Sequence, residues 1–107
     1  MSWTVETLDK RVDKELEALP VDVRAHFVRI AEMLEASGPS AVGMPFVRHL
    51  TDGLWEIRAK GKDVIGRAIY VKAVGQRLVV VHAFIKKTQK TPSKALSIAR
   101  ARAKEVE

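Results

Sequence analysis

The segment Lys86-Lys87-Thr88-Gln89-Lys90 places three lysines within five residues, directly after an apolar run. Ammonium groups bind phosphate oxygens as point charges, and the hydroxyl of Thr88 and the amide of Gln89 can also bond to phosphate. The segment therefore predicts a basic patch at the end of a strand. The alternative is that the lysines only keep an aggregation-prone strand soluble, as charged residues beside apolar strands do.

A second set of cations lies in segment 54–60, which is predicted to form a strand. Side chains alternate between the two faces of a strand, so Glu56, Arg58 and Lys60 are expected to share one face. Two cations pointing together favour contact with an anion. A solvated outer face of an edge strand has the same pattern and is the alternative interpretation.

Arg67 interrupts an otherwise apolar segment that is predicted to form the neighbouring strand. A long cation is rarely placed on a covered sheet face unless it forms an ion pair or binds a ligand. Two interpretations of Arg67 therefore stand side by side: an ion pair with Glu56, and binding of an anion. Tyr70 lies three residues further on, so it is expected to face the opposite side of the strand, as a core or rim residue.

The histidines are candidates for proton transfer but not for a metal site. His82 and His49 could act as an acid or a base, and each is equally compatible with a hydrogen-bonded core residue. His26, His49 and His82 are scattered along the chain, and no carboxylate pair stands at ligand spacing from any of them. We therefore predict neither a metal nor another cofactor, and the sequence contains no P-loop and no dinucleotide fingerprint.

The net charge of +6 is divided unevenly along the chain. Residues 1–43 contain five Lys or Arg against eight Asp or Glu, a net of −3, whereas residues 44–107 contain 14 against five, a net of +9. A basic region of this kind attracts polyanions, which include RNA, DNA, an anionic membrane surface and acidic proteins. Charge alone does not choose among them.

Hydrophobic periodicity predicts the elements that must position these cations. The alternating segment Trp3–Leu8 predicts a strand. Asp9 is a candidate N-cap of a first helix that ends before Pro20, and apolar residues at helical spacing over 23–34 predict a second helix. Further strands are predicted at 46–50, 54–60, 64–72 and 78–86, and Thr91-Pro92-Ser93 opens a last helix.

This order predicts an α+β fold in one domain spanning residues 1–107. An N-terminal strand and a helical hairpin would pack on a small, mostly antiparallel twisted sheet, followed by a C-terminal helix. Segment Leu78–Val81 does not alternate, so its strand is expected to be covered on both faces. The chain has no cysteine, no apolar run of membrane-spanning length and no signal-peptide pattern, which favours a cytoplasmic protein.

The second half of the chain carries three motifs in a fixed order. They are segment 52–58 (Asp-Gly-Leu-Trp-Glu-Ile-Arg), Arg67 with Tyr70, and segment 82–92 (His-Ala-Phe-Ile-Lys-Lys-Thr-Gln-Lys-Thr-Pro), followed by a helix rich in Ala and Arg. Together they resemble the HigB-type branch of the RelE toxin superfamily over residues 44–104, and the third motif is fairly specific. The resemblance implies a RelE-like fold and the toxin of a type II toxin–antitoxin system.

The resemblance further implies cleavage of mRNA in the ribosomal A site without a metal, by attack of the 2′-hydroxyl on the adjacent phosphate. Cations would stabilise the developing phosphorane charge, and a base and an acid would move the protons. By matching position, the implied catalytic residues are Arg67, Lys87, Lys86 and Lys60, and the implied RNA-binding residues are Arg58, Lys60, Lys90, Thr88 and His82. Some RelE-like enzymes carry a tyrosine in or near the last helix, but no tyrosine follows Tyr70 in this chain. The general acid and base therefore stay unassigned.

The implied partners are mRNA, the ribosome and a cognate antitoxin, which would be a HigA-like helix-turn-helix protein or an acidic protein that covers the basic face. An alternative of another class is a toxin of the same fold that binds and inhibits DNA gyrase without cleaving RNA. A DNA-binding regulator is disfavoured, because the helices predicted in the first half are acidic where a recognition helix would be basic.

Overall fold

The computed structural model describes residues 2–86 and 91–107. In chain order the elements of these residues are β1 (Thr4–Thr7), α1 (Lys10–Glu17), α2 (Val21–Ser37), β2 (Val47–His49), β3 (Trp55–Lys60), β4 (Ile65–Ala73), β5 (Arg77–Lys86) and α3 (Ser93–Ala103). The strands form one sheet in the order β1-β5-β4-β3-β2, in which β1 pairs parallel with β5 and the other pairs are antiparallel. The predicted α+β fold is confirmed.

The local signals at the ends of the elements follow the expected chemistry. The carboxylate of Asp9 accepts a hydrogen bond from the backbone N–H of Arg11 at 2.9 Å, so Asp9 is the N-cap of α1. Asp52 and Gly53 have φ of 51° and 76° in the β2–β3 hairpin, a left-handed pair that Asp-Gly adopts readily. Within the described ranges, no helix combines the length and the apolar character that crossing a membrane requires.

The sheet separates two apolar cores, and β5 contributes to both. Leu78 and Val80 belong to the core beneath α1 and α2, whereas Val79 and Val81 pack with Ala99 of α3 on the other face. This division explains why segment 78–81 does not alternate: each of its side chains is buried, on one face or the other. The expectation that this strand is covered on both faces is confirmed.

A close approach between α2 and β4 depends on a glycine. Val23, in the first turn of α2, is fully buried and packs with Leu19 and Ala59 against the sheet. A Cβ atom added to Gly66 of β4 would lie 2.4 Å from a Val23 methyl carbon, well inside the normal contact distance. The absence of a side chain at residue 66 therefore allows the helical hairpin to sit against the sheet.

We expect Gly66→Ala to lower the free energy of unfolding by about 1–3 kcal/mol, because the added methyl group overpacks the contact with Val23. Urea unfolding followed by circular dichroism measures the change. Gly43→Ala is the matched control, since a Cβ there meets nothing within 4 Å. Equal unfolding midpoints for Gly66→Ala and Gly43→Ala would contradict the close approach.

Candidate functional site

Cations from three strands meet on the sheet face that also carries α3. Arg58 of β3 lies opposite Arg67 of β4, and Arg67 in turn lies opposite Phe84 of β5. Lys60 and Lys86 occupy the next row, where both are paired with the same residue of β4. We call Arg58, Lys60, Arg67 and Lys86 the cation cluster.

A β-bulge in β5 decides that Lys86 belongs to this cluster. Ile69 of β4 is paired with His82, whereas its neighbour Tyr70 is paired with Val80, so Val81 is an extra residue on β5. Beyond the bulge the alternation of β5 is reversed, and residues 82, 84 and 86 share the face of Arg67. Simple alternation from Val80, which lies in the opposite core, would have placed Lys86 on the α1–α2 face.

Glu56 is a buried carboxylate that joins the cluster to two other elements. It is fully buried, and its Oε1 accepts a hydrogen bond from Nη1 of Arg67 at 2.6 Å. Its Oε2 accepts a hydrogen bond from the hydroxyl of Thr91 at 2.8 Å, and Nη2 of Arg48 lies 3.8 Å from Oε1. The ion-pair interpretation of Arg67 is thus confirmed.

The ion pair does not satisfy every donor of the two facing arginines. Arg67 is 2% exposed, and its Nε has no hydrogen-bond partner among residues 2–86 and 91–107. The same is true of the buried Nε of Arg58 within these ranges. Buried N–H groups in folded proteins are nearly always bonded, so two unpartnered donors on facing residues favour an acceptor supplied from outside the described chain.

The environment of Lys86 lowers the proton affinity of its amine. Lys86 is 6% exposed, and burial lowers the pKa of its ammonium group to about 8. The charges of Arg67, Arg48 and Arg58 act in the same direction, while that of Glu56 raises the pKa. A lysine with a pKa near 8 is partly neutral near physiological pH, and a neutral amine can accept a proton from a hydroxyl group.

Lys60 marks the open end of the cluster. Its side chain is exposed, and its backbone N–H donates to Nδ1 of His26 at 2.7 Å, which fixes this end of β3 to α2. Together with Lys62 and Asp63 of the β3–β4 turn, Lys60 and Lys86 line a groove on the surface. A negatively charged chain lying in this groove would reach the buried arginines from the side of Lys86.

His82 lies on the same face as the cluster, but it is engaged elsewhere. Its Nδ1 lies 3.1 Å from Oε1 of Glu15 in α1, and that carboxylate also accepts hydrogen bonds from the guanidinium of Arg102 and the backbone N–H of Ala83. Arg102 also donates to the carbonyl of Val81 at 3.0 Å. These contacts cap the edge of β5 where β1 has ended.

The pKa of Glu15 reflects this environment. Burial acts to raise it, but the hydrogen bonds from Arg102, Ala83 and His82 outweigh burial and hold the pKa of Glu15 below its ordinary value. The carboxylate therefore stays charged over the physiological range and keeps α1, β5 and α3 joined.

The remaining aromatic candidates lie away from the cluster. Tyr70 is fully buried in the α1–α2 core, on the face opposite Arg67 as predicted, and burial raises the pKa of its hydroxyl to about 12. The ring of His49 packs edge-on against Trp55 with centroids 4.8 Å apart. The Tyr70 hydroxyl, buried on the other face of the sheet and with a raised pKa, is therefore a poor proton donor to a substrate bound at the cluster.

Sequence reasoning missed residues that complete the site. Arg48 and Thr91 both contact the Glu56 carboxylate, and Lys62 borders the groove. The alternation of Arg48 with apolar Val47 in the sequence could have indicated Arg48. Nothing in the local sequence indicates Thr91, because its partner lies 35 positions away. The predicted site residues Lys87, Thr88 and Lys90 lie outside the described residues.

No group of three or more His, Asp or Glu side chains within residues 2–86 and 91–107 is arranged to hold a metal ion. The cluster offers positive charge, an amine of lowered pKa and two N–H donors that have no partner in the described part of the chain. This combination suits a phosphate group whose charge increases during a reaction.

Comparisons with known proteins place the chain in a family. The family model described as "Phage derived protein Gp49-like (DUF891)" matches residues 14–104. Among solved structures, the chain is similar to a chain of the archaeal RelE-RelB complex from Pyrococcus horikoshii OT3, with a TM-score of 0.57 and 24% identity over 79% of this chain and 96% of that chain. No curated protein sequence matches it. Since the family match spans most of the sequence and the structural match covers 79% of this chain, the chain belongs to the Gp49-like family and has a RelE-like fold.

Proposed function

We propose that this protein is the toxin of a toxin–antitoxin pair and that it cleaves ribosome-bound mRNA with the cation cluster, without a metal ion. The observation that carries the proposal is the buried Arg67, whose Nε has no partner among the described residues, on the same face as a lysine whose pKa is lowered to about 8. The RelE-like fold and the Gp49-like family support the toxin class. The assignment to the HigB-type branch, suggested by the motifs, belongs to the same proposal.

In the proposed reaction, the neutral amine of Lys86 takes the proton of the 2′-hydroxyl, whose oxygen then forms a bond to the adjacent phosphorus. Arg67 and Arg58 donate to the equatorial oxygens, whose charge increases as the phosphorane forms. The bond from phosphorus to the 5′-oxygen breaks, and a protonated lysine, Lys60 or Lys87, supplies the proton to the departing oxygen. The products are a 2′,3′-cyclic phosphate and a 5′-hydroxyl.

The residues that the sequence predicts to bind RNA are proposed to contact its backbone. Arg58 and Lys60 lie on the cluster face, and Thr88 and Lys90 belong to the lysine-rich segment that follows Lys86. An RNA contact from His82 would require its ring to leave Glu15. These contacts would set the register of the strand without reading its sequence.

We expect Lys86→Gln and Arg67→Gln each to lower the single-turnover rate of mRNA cleavage by about 100-fold or more, because one removes the base and the other a phosphate-binding group. Cleavage is measured by mapping 5′ ends on programmed ribosomes, with circular dichroism to verify folding. Lys104→Gln is the matched control, since it removes the same charge from the exposed C-cap position of α3.

Wild-type cleavage rates in both cluster variants would contradict the proposed site. Growth arrest by the wild type with intact mRNA and blocked DNA supercoiling would instead establish the alternative, a gyrase-inhibiting toxin of the same fold.

The pH dependence of cleavage follows from the lowered pKa of Lys86. Below about pH 8 the amine is protonated and cannot act as a base, so we expect the rate to rise with pH and to level off above about pH 8. Single-turnover rates between pH 6 and pH 9, at constant ionic strength, measure the profile. A flat profile in the wild type would remove Lys86 from the role of base, and loss of the rising limb in Lys86→Gln would support it.

The proposed partner is an antitoxin that covers the basic half of the chain. The net charge of +9 over residues 44–107 favours an acidic surface on the partner, and the similar archaeal chain comes from a RelE-RelB complex. We expect the protein to co-purify with the product of the adjacent gene and the complex to weaken as salt is raised from 0.1 M to 1 M. Binding that is independent of salt would contradict an electrostatic cover.

A further inference from the structure

Glu56 has no role in the proposed reaction, yet it is fully buried in the middle of the catalytic face. Its two oxygens hold groups from two different parts of the chain: Arg67 on β4 at 2.6 Å and Thr91, just before α3, at 2.8 Å. Thr91 is also the residue that follows the lysine-rich segment 87–90. The carboxylate therefore connects the buried arginine to Thr91, at the start of the C-terminal part of the chain.

We infer that Glu56 is a positioning residue: it holds the Arg67 guanidinium in its catalytic orientation and anchors Thr91, just before α3, to the sheet. The inference rests on the proposed function, because it assigns the orientation of the same reactive groups. Glu56 itself is not the base, since both of its oxygens already accept hydrogen bonds and its side chain is sealed from solvent.

The geometry of the Glu56–Arg67 ion pair supports a role in positioning the guanidinium rather than in stability alone. Nη1 of Arg67 points at Glu56, while Nε is left without a partner among the described residues. A guanidinium is planar, so fixing one nitrogen strongly limits the directions in which the others can point. A buried ion pair often stabilises a fold no more than apolar residues of similar volume would.

The charge of Glu56 has a second effect, on Lys86. The charged groups that act on this amine include Arg48 of β2, Glu56 and Arg58 of β3, and Arg67 of β4. The three arginines lower its pKa, and Glu56 raises it. Removing the carboxylate charge while keeping its shape should therefore lower the pKa of Lys86 further, an effect that a purely structural role would not produce.

The test is Glu56→Gln, compared with wild type by single-turnover cleavage of ribosome-bound mRNA between pH 6 and pH 9. We expect the maximal rate to fall by about 100-fold while KM changes little, because the arginine is misdirected but the exposed cations still bind RNA. We also expect the midpoint of the pH profile to move to lower pH.

Two further variants separate charge from anchoring. Thr91→Val removes the hydrogen bond but no charge, so the rate should fall with no change in the midpoint. Arg48→Gln removes a partly exposed cation, so the midpoint should move to higher pH, which gives the size of shift that one charge near Lys86 produces.

A folded Glu56→Gln protein with the wild-type rate and midpoint would overturn the inference while leaving the proposed function standing. If Glu56→Gln does not fold, a wild-type rate in folded Thr91→Val would overturn it equally, because the Glu56–Thr91 contact would then have no effect on the reaction. A wild-type protein that cuts no mRNA would overturn the proposed function and the inference together.

Discussion

Repulsion between cations on neighbouring strands is the constraint around which this structure is organised. Arg58 and Arg67 face each other directly across β3 and β4, an arrangement that destabilises a sheet unless an opposite charge intervenes. Glu56 supplies that charge from within the sheet face, where it is shielded from water and its attraction to Arg67 is strengthened. The site can therefore concentrate positive charge without driving its strands apart.

The scaffold that carries this charge depends on β5, which lies between β1 and β4 and is covered on both faces. Because β1 has only four residues, the outer edge of β5 beyond Val80 would lack a partner strand. Glu15 and Arg102 bond to backbone groups of Ala83 and Val81 along this edge. The two helices thereby complete the edge with side chains, and they protect it from pairing with another chain.

Periodicity was sufficient to predict most of what lies within one strand or one helix. It placed Arg58 with Lys60, and it put Tyr70 on the face opposite Arg67, because side-chain direction in a regular strand depends only on residue spacing. It could not predict that His82 would contact Glu15, which lies 67 residues away on another element. The same limit applies to Thr91, whose partner is determined by tertiary packing rather than by any local pattern.

The bulge at Val81 affects how relatives of this chain should be aligned. Ile85 and Lys86 owe their present faces to this bulge, so a homologue that kept the same number of residues in a regular strand would direct the lysine toward α1 and α2 and the aliphatic side chain toward the arginines. A gap placed a few positions from the bulge would assign the residues in between to the wrong face of the sheet. The number of residues between Arg67 and Lys86 therefore predicts the face of the lysine only when the presence or absence of the bulge is also known.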